Sequence, residues 1–331
     1  MQKSGIEFSD YSWTPATGCN FGCSYCYARR MAERFSRNVR INMASPLCKG
    51  DKTARLFELD EMFKSRDDNR TLAFPFGFYP TLHRYRLGAN AKPCKVTAPS
   101  IFFVCSTGDL FGPWVPQGWI DEVMATCELA PHHQYLFLTK NPARYNEPQT
   151  FRHLDHLNYW LGTTITCNAD LPRASDLLFK VWPYVEANNF LSIEPLHERL
   201  DTDKLRDAME LANWVIVGAE TMNSRTVMSK APAGFWLREI VNVCHNAGVP
   251  VFLKDNLEPI WGEPLIQEFP AGLQPQAKPL PKHRVRVESV RDEKYCMDCG
   301  ECVQGRPATR LGGRKYMCDP CMERAVQDGR A

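Results

Sequence analysis

The chain has 331 residues, 44% of them hydrophobic, with a formal net charge of +2 at pH 7. Such length and apolar content exclude a disordered chain and suggest about two domains, while the near-balanced charge by itself selects no partner. The N-terminal MQKSGIEFSDY lacks the apolar stretch of a signal peptide and no later run could span a membrane, so a cytoplasmic location is expected. In a reducing compartment the fourteen cysteines read more readily as metal ligands than as disulfides.

The first predicted strand lies near WTPATG (13–18) and runs directly into TGCNFGCSYCYARR (17–30). Cys19, Cys23 and Cys26 are spaced three and then two residues apart, with Gly18 and Gly22 permitting a tight loop between them. A structural zinc site takes four protein ligands, and no fourth cysteine or histidine lies nearby; Cys48 is distant in sequence. Three thiolates can instead hold three irons of a [4Fe–4S] cluster and leave the fourth iron open to a ligand. Residues 41–98 follow as an insertion, longer than an ordinary βα connection. It mixes the charge run KSRDDNR with the aromatic group AFPFGFYP and carries His83. It is expected to act as a lid or a substrate-contacting surface, with His83 structural or reaching the site.

Beyond it, short β-branched and aromatic runs alternate with longer amphipathic stretches. The runs are SIFFVCST (100–107), QYLFLTK (134–140), YWLGTTIT (159–166), NFLSIEPL (189–196), WVIVGAET (214–221) and VPVFLKD (249–255). Helices are predicted over 118–130, 171–187 and 231–248. This rhythm predicts repeated βα units around a parallel sheet of about seven strands, a partial or complete (β/α) barrel, with a doubly wound open sheet as the alternative. Each run ends in polar residues: Cys105, Ser106 and Asp109, then Thr139 and Lys140, Thr164 and Thr166, Ser192 and Glu194, Glu220, Lys254 and Asp255. Ligands bind at that edge of a parallel sheet, so a polar-lined pocket is expected there.

The division read from the sequence is a barrel over 1–256, a Pro-rich basic linker over 257–290 and a Cys-rich module over 291–331. In the last, Cys296-x2-Cys299 and Cys318-x2-Cys321 enclose 18 residues, the spacing of four-cysteine zinc modules, with Gly312-Gly313 suited to a hairpin turn between them. Such a module folds only with its metal. Cys302 gives a third cysteine two residues on, so an auxiliary iron–sulfur cluster stays open beside zinc, with Cys302 spare or an alternative ligand. From Lys278 to Ala331 there are 12 Lys and Arg against 8 Asp and Glu, and KPLPKHRVR (278–286) has no acidic residue. Arg306, Arg310, Arg314 and Lys315 lie within the loop, the footprint of a nucleic-acid partner or a merely solvated face.

Cys19-x3-Cys23-x2-Cys26, with Tyr25 before the third cysteine, resembles the signature of radical S-adenosylmethionine (SAM) enzymes. The resemblance implies a [4Fe–4S] cluster on these three cysteines and SAM bound to the open iron. It further implies SAM cleavage to a 5′-deoxyadenosyl radical, and an electron donor such as a flavodoxin or ferredoxin. Together with IEFSDYSWTPATGC (6–19), FFVCSTGDLFG (102–112), LFLTKNPARY (136–145), LSIEPL (191–196) and VPVFLKDN (249–256), the motif also resembles a phage-associated radical-SAM-like family that brings no substrate with it. A more distant similarity is to spore photoproduct lyase, which acts on thymine in DNA. On these resemblances Tyr25 is expected beside the SAM adenine. Ser106, Asp109, Thr164 and Glu194 are expected at SAM's amino, carboxylate and ribose groups, and Lys140 or Lys254 at its carboxylate or an anionic substrate. Cys105 is a candidate hydrogen donor. The function expected is modification, rearrangement or repair of a nucleic-acid base, a thymine derivative in phage-type DNA. A small-molecule or peptide substrate, and a non-enzymatic iron–sulfur and zinc nucleic-acid binder, are the alternatives.

Overall fold

The structure, a computed structural model, describes residues 4–154, 158–181, 188–209, 212–220, 231–275, 308–312 and 315–318. Within them the chain forms two compact units. One comprises the described residues of 4–164, 172–191 and 271–275; the other comprises those of 165–171, 192–270, 308–312 and 315–318.

Seven strands make the larger sheet: β1 (Tyr11–Trp13), β6 (Ile101–Val104), β7 (Gln134–Thr139), β8 (Tyr159–Thr164), β9 (Asn188–Ile193), β10 (Trp214–Val217) and β11 (Val251–Leu253), in that spatial order. The pairs β1–β6, β6–β7, β7–β8 and β10–β11 are all parallel, with Trp13 opposite Val104 and Thr139 opposite Thr163. Sequential order with helical crossovers is the topology of a partial (β/α) barrel, with β1 and β11 at its two ends. Every residue of β6, β8 and β10 is buried, as parallel strands covered on both faces require, which is why IFFV and WVIV read as unbroken apolar runs.

Each predicted helix forms among the described residues: α3 (Gln117–Glu128) is one residue shorter than expected, α7 (Gly234–Asn246) five, and α5 (Leu171–Val181) starts at its expected first residue, with 182–187 outside the described residues. In α7 the residues Leu237, Ile240, Val241 and Cys244 recur at helical spacing and form its buried face. Four further helices, none longer than nine residues, were not predicted: α1 (Tyr27–Phe35), α2 (Val39–Met43), α6 (Thr202–Met209) and α8 (Glu258–Trp261). A short α4 (Pro148–Phe151) begins on a proline at its first turn.

The stretch near WTPATG divides differently from the expectation. Tyr11–Trp13 joins the large sheet, whereas β2 (Ala16–Thr17) joins a second sheet ordered β2-β5-β4-β3, with β3 (Lys49–Asp51), β4 (Leu56–Leu59) and β5 (Thr81–His83). The insertion is therefore a folded element with its own core of Phe57, Leu59, Phe63, Leu72 and Phe76. The aromatic group seen in the sequence supplies that core: Phe76 packs on Phe57 and Phe63 with ring centroids 4.6 and 5.6 Å apart. Arg84 fastens it to the barrel helix α3, donating to Glu58 at 2.6 Å and to Glu122 at 3.0 Å, while Trp119 Nε1 donates to Glu58 at 2.7 Å. In the tail, β12 (Ala308–Gly312) and β13 (Lys315–Cys318) form an antiparallel hairpin with Gly312 opposite Lys315.

Candidate functional site

The three-cysteine loop begins where β2 ends. Gly18 has φ +82, and its N–H donates to Thr107 O at 2.9 Å, so the loop is tied to the C-terminal end of β6. A Cβ at Gly18 would lie 2.3 Å from Tyr79 O, and one at Gly108 would lie 2.9 Å from Ala16 O. Two glycines thus let three backbone segments meet where no side chain fits. The insertion braces the same point: Cys19 N–H donates to Phe78 O at 3.1 Å, and Arg29 stacks on the Phe78 ring at 5.0 Å. Cys26 caps α1, its Sγ accepting from Arg29 N–H at 3.4 Å.

Cys19, Cys23 and Cys26 are all half-buried free thiols. Burial pushes the Cys19 thiol up to about 12, against a hydrogen bond from the Phe21 backbone, and the nearby charges of Asp109, Cys23 and Cys26 add to the rise. Among the described residues no three His, Cys, Asp or Glu side chains converge on a point that would hold a single ion. Three thiols are the donor set of a cluster in which each of three irons takes one thiolate, and a cluster's positive charge would stabilise thiolates that burial otherwise disfavours.

The strand ends beside this loop carry the predicted polar residues of the first unit. Ser106 Oγ lies 2.6 Å from Ser12 Oγ and 3.3 Å from Thr14 Oγ1, and Ser106 O accepts from Tyr27 Oη at 2.7 Å. Tyr27 was not singled out from the sequence, since one more tyrosine after a cysteine carries no spacing signal. Asp109 is buried, and its carboxylate accepts from Thr139 Oγ1 at 2.8 Å, Phe111 N–H at 3.0 Å and Lys140 N–H at 3.0 Å. Burial raises its pKa despite these bonds, and they make Asp109 a tie between the ends of β6 and β7. Lys140 holds its ammonium over the Tyr25 ring, 5.4 Å from the centroid, so these two candidates meet. Thr164 is buried at the end of β8, where its carbonyl accepts from Arg173 at 3.5 Å. Cys105 is buried at φ +56, a conformation uncommon for a residue with a Cβ, and burial pushes its thiol up to about 12.

His83 is fully buried on β5, with Nε2 2.9 Å from Thr17 Oγ1 and Nδ1 3.3 Å from Tyr85 Oη. Desolvation, aided by the Arg86 charge, holds it well below the usual imidazole range. It supports β2, two residues ahead of Cys19.

In the second unit the strand ends carry a different set. Lys254 Nζ donates to Glu194 Oε1, and a Cβ at Gly218 would come within 3.0 Å of both side chains, so this glycine makes the pairing possible. His197 Nε2 lies 3.1 Å from Glu220 Oε2, and Asn256 bridges both backbone groups of Ala219. Thr166 bonds Asp170 at 2.7 Å. A cavity of about 410 Å3 in this unit is lined by Asn168, Arg199, Leu200, Asp201 and Thr202, none of them a predicted site residue. Of the predicted zinc ligands only Cys318 is described, at the end of β13; Cys296, Cys299, Cys302 and Cys321 lie outside the described residues.

The fold and the loop together define an α/β protein in which a three-cysteine loop is tied to the end of the parallel strand β6. Residues 3–265 match the family described as "Protein of unknown function (DUF5131)", and the chain belongs to that family. No curated protein matches it. Among solved structures it is similar to spore photoproduct lyase complexed with dinucleoside spore photoproduct, at 10% identity and a TM-score of 0.42. That alignment covers 99% of this chain and 74% of that one. A variant of that lyase with bound AdoMet and dinucleoside spore photoproduct aligns at 10% identity and a TM-score of 0.40, over 99% and 74% of the two chains. Among the described residues no helix is long and apolar enough to cross a membrane.

Proposed function

We propose that the protein is a radical SAM enzyme that modifies, rearranges or repairs a nucleic-acid base, with a thymine derivative in DNA as the substrate class. The observation that carries this reading is the three-thiol loop, anchored through Gly18 to the end of β6 and with its third cysteine starting α1. Cys19, Cys23 and Cys26 would hold the cluster, and bound SAM would supply the radical that takes a hydrogen atom from the substrate. Tyr25, with Lys140 stacked on it, offers an aromatic face and a positive charge beside that loop, suited to an adenine and a carboxylate. The hydroxyls of Ser106 and Thr164 offer further polar contacts. Cys105 stays a neutral thiol at physiological pH because it is buried, and S–H is the form able to return a hydrogen atom to a product radical. Asp109 acts through the backbone of Lys140, fixing the strand end from which that lysine reaches Tyr25. Glu194 and Lys254 form a second charged pair, in which Glu194 Oε1 is engaged by the ammonium.

The nucleic-acid part of the reading is supported by charge. The tail from Lys278 carries 12 basic against 8 acidic residues, a surplus of 4. Cys296, Cys299, Cys318 and Cys321 are proposed to hold one zinc that folds this segment, and Cys302 is the alternative ligand.

Anaerobically reconstituted full-length protein should bind about four irons and yield 5′-deoxyadenosine on reduction with SAM. The Cys19→Ala, Cys23→Ala, Cys26→Ala triple variant should keep its far-ultraviolet circular dichroism and make none. SAM cleavage by the folded triple variant would refute the assignment. Metal analysis of that variant should still find one zinc; its absence would remove the proposed tail site.

A further inference from the structure

Outside the site, the exposed large apolar side chains of the first unit concentrate on one helix. Tyr27, Met31 and Phe35 recur every four residues along α1 and share one face, at 51%, 38% and 49% exposure, while the flanking Ala28 and Ala32 are buried. Residues 27–43, spanning α1 and α2, hold five arginines against one glutamate, a charge of +4, so the rest of the chain sums to −2. Residues 27–43 are thus strongly basic and also carry the exposed aromatic stripe, with Arg37 already paired to Asp68 at 2.8 Å. Arg34 already stacks on Phe35, 5.2 Å from the ring centroid. The stripe also has a direction: its first residue, Tyr27, donates to Ser106 O at the end of β6.

We propose that this face of α1, continued by Arg40 at the start of α2, is where a single-stranded nucleic acid docks beside the strand-end site. The inference rests on the nucleic-acid reading above and adds to the basic tail a surface beside the cysteine loop. Arginines neutralise phosphates without regard to sequence, and exposed aromatic rings stack on bases only when those bases are unpaired. A duplex hides its base faces and would use the arginines alone. A membrane-surface helix needs a wider apolar face than three side chains, one of which is tied by its hydroxyl to Ser106. Entry of an unpaired strand also suits base chemistry, which requires the target nucleotide to leave the stack.

The test uses the full-length protein and a fluorescein-labelled single strand of about 20 nucleotides, a length that covers one or two stacking sites. Its duplex serves as control, and anisotropy is read between about 50 and 200 mM salt. Phe35→Ala should weaken single-strand binding about tenfold and leave duplex binding nearly unchanged. Arg34→Gln with Arg40→Gln should reduce the slope of log K against log salt by roughly 1.4, two phosphate contacts' worth. These side chains are exposed, so circular dichroism should match the wild type. Neutralising Arg310, Arg314 and Lys315 in the tail is the comparison. If the wild type binds the strand and both α1 variants bind it equally well, the docking surface is refuted while the nucleic-acid reading stands. The surface is equally refuted if the wild type binds strand and duplex alike, or if Phe35→Ala weakens binding only to an acidic protein or to vesicles containing phosphatidylserine. If the wild type binds no nucleic acid at the lowest salt, the nucleic-acid reading itself fails.

Discussion

Gly18 and Gly22 occupy the same cysteine loop with nearly the same backbone, φ +82 and φ +73, yet their surroundings differ sharply. A methyl group at Gly22 meets nothing within 4 Å. At Gly18 it would lie 2.3 Å from Tyr79 O, 2.5 Å from Tyr79 C and 2.8 Å from Phe78 O, all of them backbone atoms. Alanine at either position incurs the left-handed penalty of about 1–2 kcal/mol. Both substitutions also lower the entropy of the unfolded chain by a similar amount, and that term cancels in the comparison. Gly18→Ala adds a clash that rotating a side chain cannot relieve. Overpacking of that kind costs about 1–3 kcal/mol, and moving Phe78 aside would weaken the Cys19 N–H bond, about 1 kcal/mol more. Gly18→Ala should therefore be roughly 2–4 kcal/mol less stable than Gly22→Ala. Urea unfolding of the two variants by tryptophan fluorescence measures the difference, and iron incorporation on reconstitution shows whether the loop still presents its thiols. Gly22→Ala should load iron normally and Gly18→Ala poorly. Equal urea midpoints with equal iron loading would refute the account of how the insertion holds the loop.

Three further outcomes follow from the same geometry. His83 is buried with its folded-state pKa well below 6.5, so the unfolded chain binds the extra proton and stability falls as pH drops below about 6.5. Between pH 7.5 and 5.5 the loss should be about 1.4 kcal/mol, and His83→Gln should remove that share of the slope; an unchanged slope would mean His83 takes up its proton equally in the folded and unfolded chain. Gly162 faces the Phe190 ring, which a Cβ would approach to 2.3 Å, so Gly162→Ala should lower stability by about 2 kcal/mol or more, partly relieved by Phe190→Leu. The pair Glu194–Lys254 is partly solvated, so a double-mutant cycle with Ala at each position should give a coupling of about 1 kcal/mol, and a coupling near zero would remove the pair from the second unit's strand-end architecture.

What could be read from the sequence follows the strength of the local signal. The strands β6 to β11 announce themselves because burial on both faces demands continuous apolar runs, and their polar ends mark where each leaves the core. The cysteine loop is legible because its spacing is local and its residue types are rare. The insertion is not, because its sheet joins β2 to residues more than thirty positions later, and no window of sequence contains that pairing. The same holds for Phe78 and Tyr79: a carbonyl that bonds Cys19 and a carbonyl that excludes a methyl group leave no side-chain pattern. Asp109 shows a subtler limit. Its position at the end of a strand was visible, but the sequence could not show that Thr139, Phe111 and Lys140 saturate its carboxylate. Polar residues at strand ends thus divide into those that meet a ligand and those that hold the strand ends in register, and only the hydrogen-bond partners tell them apart. By that criterion Asp109 holds the ends of β6 and β7 in register, and the backbone it fixes at Lys140 carries the side chain that lies over the Tyr25 ring.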